Sequence, residues 1–72
     1  MAIRVEDLKE FVLELKKDKI TKKELEKRIK MKWGISDYIY KSRLDALSLF
    51  GFIKPDRNNP LVLVINPKGD DV

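Results

Sequence analysis

The sequence predicts a small α+β domain, mostly α, in which three helices are followed by a C-terminal β-hairpin. Three observations predict it. An apolar stripe of helical period opens the chain, and two helix-start signatures follow at Thr21 and Ser36. Gly51 then hands over to two short apolar runs separated by turn formers.

Leu8, Phe11, Val12 and Leu15 fall at i, i+3, i+4 and i+7, one face of a helix from about Val5 to Lys17. Acidic Glu6 and Asp7 in its first turn and basic Lys16 and Lys17 in its last both suit the helix dipole.

Thr21 and Glu24 have the spacing of a capping box, and Ile20 and Leu25 stand at the two hydrophobic-staple positions around it. A second helix is therefore expected from Lys22 to about Lys32. Leu25 and Ile29 point inward, and Lys23, Lys27 and Lys30 mostly outward.

Gly34 suits the position just past a helix end, and Ser36 the N-cap of the next. The third helix is expected from Asp37 to about Leu49, stopped by Gly51. Trp33 is expected to plug the intervening turn against Ile35 and the first helix.

Phe52-Ile53-Lys54 reads as a strand, Pro55 to Pro60 as a hairpin tip, and Leu61 to Ile65 as a β-branched strand that pairs back. Residues 66 to 72 read as a frayed tail.

Composition narrows the function classes. Cysteine and histidine are absent, which removes disulfides, thiolate and imidazole metal sites, and the commonest catalytic bases. No carboxylate cluster of metal-binding spacing stands out, so neither an enzyme nor a cofactor is expected. Glutamine is missing and Lys, Glu and Ile are plentiful, a thermophile-like bias. No run approaches the roughly 20 apolar residues of a membrane span, and no signal-peptide pattern is present. The expectation is a cytoplasmic protein of 72 residues with one core, no membrane association and no separate module for a small-molecule ligand.

The formal charge of +4 is unevenly spread. Residues 16 to 43 hold eleven basic side chains against four carboxylates, whereas residues 1 to 15 hold two against four. The basic excess coincides with the second and third helices, which points to a polyanionic partner.

Ile20-Thr21-Lys22-Lys23-Glu24-Leu25, Ile35-Ser36, and Leu44, Leu47, Gly51, Phe52 and Ile53 together resemble the small winged helix-turn-helix transcription regulators of the MarR, GntR and PadR kind, including the short ones of archaea and their viruses. The resemblance spans roughly residues 5 to 66. It departs at Lys30-Met31-Lys32-Trp33, which lengthens the interval between the second and third helices by about one turn, through either a longer helix or a looser turn.

The resemblance implies sequence-selective binding of double-stranded DNA, with the third helix in the major groove and the hairpin wing on the backbone or minor groove. On a helical wheel with Tyr40, Leu44 and Leu47 inward, Tyr38, Ser42, Asp45 and Leu49 face out, flanked by Lys41 and Arg43. Tyr38, Lys41 and Ser42 are then the base-edge candidates, Arg43 suits a phosphate or guanine, and Ser36 is a further DNA-binding candidate. Lys22, Lys23 and Lys27 suit phosphates, and Arg57 at the wing tip suits a minor groove. An outward Leu49, with the first helix, could serve a homodimer contact. The alternative is a winged-helix adaptor that contacts protein instead of DNA.

Overall fold

The structure is a computed structural model that describes residues 4–69. In chain order its elements are α1 (Val5–Leu15), β1 (Lys19–Thr21), α2 (Lys22–Trp33), α3 (Asp37–Leu49), β2 (Ile53–Pro55) and β3 (Val62–Ile65). β3 lies in the middle of an antiparallel sheet of order β1-β3-β2, with Ile20 opposite Leu63 and Ile53 opposite Ile65. The domain is thus α+β and mostly helical, with a three-stranded sheet in place of the expected two-stranded hairpin.

β1 is the added strand. Ile20 is buried beneath it, while Lys19 and Thr21 stay outside. The same three residues also start α2: the Thr21 hydroxyl accepts the Glu24 amide at 3.2 Å, and Ile20 and Leu25 are only 4% and 0% exposed, as a formed hydrophobic staple requires. Half of the capping box is replaced, because the Glu24 carboxylate takes Arg28 Nε at 3.1 Å.

α1 ends two residues earlier than its sequence suggests. Lys16 adopts a left-handed φ of 51° at the C-cap and turns the chain toward β1, where Asp18 O accepts the Ile65 amide at 2.7 Å. α2 runs on to Trp33 and only Gly34, Ile35 and Ser36 separate it from α3, so the long interval is extra helix and the turn stays tight.

One core joins the layers. Leu8, Phe11, Val12 and Leu15 of α1 meet Ile20, Leu25, Ile29 and Leu47, and Phe52, Ile53, Leu63 and Ile65 close it from the sheet side. Burying each such side chain contributes roughly 1.5–3 kcal/mol before conformational entropy is set against it.

The expected frayed tail needs correction. Asn66 N donates to Phe52 O at 2.8 Å, Asn66 Nδ2 to Gly69 O at 2.8 Å, and Gly69 N to Asn66 O at 3.0 Å. Residues 66–69 therefore close a turn on the core, and residues 70–72 lie outside the described residues. Among the described residues, no helix is long and apolar enough to cross a membrane.

Candidate nucleic-acid interface

The basic side chains of this domain divide into neutralised and free groups. Lys30 Nζ is shared by Glu26 at 2.9 Å and Asp37 at 2.8 Å, Arg28 is held by Glu24 at 3.1 Å, Lys32 by Glu14 at 3.2 Å, and Lys19 by Asp56 at 3.1 Å. Lys22, Lys23, Lys27, Lys41 and Arg57 make no ion pair among the described residues, and all five are exposed.

Backbone hydrogen bonds collect several of these free cations. Lys22 N donates to Leu61 O at 3.0 Å, which ties the first turn of α2 to the β2–β3 connection. Leu61 then shares a shallow recess of about 280 Å³ with Thr21, Lys22 and Lys23. That connection is ordered from within: Asp56 Oδ1 accepts the Asn58 amide at 2.9 Å and Asn59 Oδ1 accepts the Leu61 amide at 3.0 Å. Arg57 stands between these two turns, so it extends from a fixed loop.

α3 presents two different sides. Asp45 and Ser48 line a groove of about 410 Å³ together with Lys22 and the sheet residues Ile53, Pro55 and Leu63. Lys41 precedes Asp45 by one helical turn and shares that sheet-facing stripe. Tyr38, Ile39, Ser42 and Arg43 line a separate recess of about 290 Å³. The Arg43 guanidinium stands 5.5 Å from the centre of the Trp33 ring, and its Nε is buried without a hydrogen-bond partner. Arg43 is therefore turned toward the α2 end and does not join the free cations. Ser36 is partly committed too, since its hydroxyl caps α3 by accepting the Ile39 amide at 3.4 Å.

Trp33 packs on Phe11 of α1, with ring centres 4.9 Å apart. Its expected second partner fails: Ile35 is 86% exposed. The isoleucine precedes the Ser36 cap as Ile20 precedes Thr21, yet no staple forms on this side.

Two carboxylates near the free cations are held ionised by their neighbours. The Lys30 ammonium hydrogen-bonds Asp37 and keeps its carboxyl below the usual carboxylate range, and Lys30 itself is pushed upward by Asp37 and then Glu26. The Asn58 amide, and next the Lys19 ammonium, do the same for Asp56. Asp37 and Asp56 are thereby matched by nearby cations and do not offset Lys22, Lys23, Lys27, Lys41 and Arg57.

Such an array can grip successive phosphates of a polyanion. Asp45 is an exposed carboxylate that shares the groove with Lys22, one helical turn from Lys41. Among the described residues no three acidic side chains converge to hold a metal ion. No family model, curated protein or solved structure matches the chain, so this surface is interpreted from its own residues.

Proposed function

We propose that the chain is a winged helix-turn-helix protein that binds duplex DNA sequence-selectively and regulates transcription without catalysis or cofactor. α3 enters the major groove, and the β2–β3 hairpin acts as the wing on the backbone or minor groove. The observation that carries this reading is the set of unpaired cations on the first turn of α2, the hairpin connection and the sheet-facing side of α3. Further along α2, Arg28, Lys30 and Lys32 each hold a carboxylate, and Lys27 joins the unpaired set.

The dimensions agree. Thirteen residues make α3 roughly 20 Å long, enough to lie along a major groove about 12 Å wide. The longest extent of the domain is 33 Å, about one duplex turn, so one copy reads one half-site. Lys22, Lys23, Lys27 and Arg57 supply phosphate contacts, and Tyr38, Lys41 and Ser42 face the base edges. The extra turn at the end of α2 lengthens the arm that carries α3 and leaves the Gly34–Ser36 turn unchanged.

Fluorescence anisotropy of a labelled random duplex across a salt series tests this. Micromolar binding with log K falling at a slope of about −4 to −5 against log salt is the expected result. Absence of binding at low salt would overturn it. That outcome would favour a protein-contact adaptor, a reading supported by Leu49, 77% exposed on α3, and by the open groove between α3 and the sheet.

A further inference from the structure

We infer that Ile35 and Tyr38 form an apolar reading pair for thymine C5-methyl groups, an inference that rests on the duplex-DNA reading above. The two residues are the most exposed large hydrophobic side chains in the described structure, at 86% and 81%. They are three positions apart at the N-terminal end of α3, the end that reads bases when a helix of this kind enters a major groove.

Neither residue is explained by the fold. Ile20 holds the same position before the cap of α2 and is buried against the core with Leu25. Ile35 before the cap of α3 is open, and replacing it by a polar residue would leave every buried contact in place. Tyr38 lies over no other ring, and its hydroxyl has no hydrogen-bond partner among the described residues.

The surrounding charge selects the occupant. Lys41 is free one turn along α3, and the one acidic group at this end, Asp37, is neutralised by Lys30 at 2.8 Å. An apolar partner protein gains nothing from that basic surround, whereas a nucleic acid does. Within a major groove the base edges present hydrogen-bonding groups and one apolar group, the thymine methyl. Two apolar side chains on a basic groove-reading end therefore select thymine over cytosine and uracil at one or two positions.

The test separates this inference from the reading beneath it. A bound sequence is selected from a randomised duplex library, and each thymine is replaced in turn by deoxyuridine, which removes the methyl and leaves every hydrogen-bonding group. Wild type should lose about three- to fivefold in affinity per contacted methyl. Ile35→Ser should remove the sensitivity at the thymine that Ile35 contacts while keeping the melting temperature and the salt slope of binding, and Ile35→Val should retain most of it. If wild type binds but tolerates every deoxyuridine, or Ile35→Ser keeps full sensitivity, the thymine inference is overturned and DNA binding stands. No duplex binding by wild type would overturn both.

Discussion

Lys30 Nζ lies 2.8 Å from Asp37 Oδ1, and this contact bridges α2 and α3 across the Gly34–Ser36 turn. The same ammonium holds Glu26 one turn back and sits 5.8 Å from the centre of the Tyr40 ring. One lysine thus sets how the two helices meet. Because the pair is exposed, its effect on stability should be small and salt-sensitive. Asp37 has a lowered carboxyl pKa in the folded state, so the unfolded chain binds protons more readily as pH falls. The contribution is present at neutral pH and is lost as pH drops through and below about 4. Thermal melts should show wild type above Asp37→Asn at pH 7, with the difference shrinking as pH falls below about 4 and in molar salt.

Asp56 obeys the same sign. Its carboxylate orders the hairpin connection through the Asn58 amide and pairs with Lys19 on β1. Asp56→Asn should increase amide exchange at Asn58 and Leu61 at neutral pH, with wild type approaching the variant's rates once acid protonates Asp56. Unchanged exchange would mean the loop is ordered by Asn59 alone.

Gly69 has φ of +70°, and a Cβ there would meet Phe50 O at 2.8 Å and Phe52 Cε1 at 3.1 Å. Gly69→Ala should cost about 2 kcal/mol or more by urea denaturation, from backbone strain plus the displaced backbone oxygen. A truly frayed tail would show no loss. Lys16→Gly makes the opposite case: glycine takes the left-handed C-cap without the Cβ penalty, so stability should rise by about 0.5–1 kcal/mol.

These positions also show which parts of the fold were legible in the sequence. The bounds of α3 follow from Ser36 and Gly51 because cap and stop are local signals, and the α1 stripe follows from its spacing. β1 was hidden because Lys19-Ile20-Thr21 is three residues with one apolar side chain, already accounted for as the staple and cap of α2. The Asn66–Gly69 turn was hidden because its partners, Phe50 and Phe52, lie far back in the chain. For the candidate site, exposure could be drawn on a wheel. Which lysines are neutralised could not, since Lys32 finds Glu14 eighteen residues away and Arg43 finds the Trp33 ring only once the helices pack.

Trp33 joins α1 to α2 and carries Arg43, so its truncation to alanine should lower stability by about 2 kcal/mol, less than a fully buried aromatic would. Arg43→Met keeps the stem against Trp33 and removes a buried nitrogen that lacks a partner. It should be neutral or slightly stabilising in urea and should leave the salt slope of duplex binding unchanged. A slope reduced by about one would return Arg43 to the phosphate contacts.

Lys22 and Lys23 differ from Lys32 in having no carboxylate to release, and they stand where the hairpin connection meets α2. Each contact to a phosphate displaces about one counterion, so the double change Lys22→Ala and Lys23→Ala should flatten the salt slope by about two and weaken all sequences alike. The Tyr38→Ala and Ser42→Ala pair should do the reverse, keeping the slope and narrowing the gap between preferred and random duplex. Lys9→Ala, which removes one charge from the exposed face of α1, controls for net charge and should leave both quantities nearly unchanged. If Lys9→Ala lowers the slope as much as either α2 lysine does, the attraction is diffuse and the α2–hairpin corner has no special part in it.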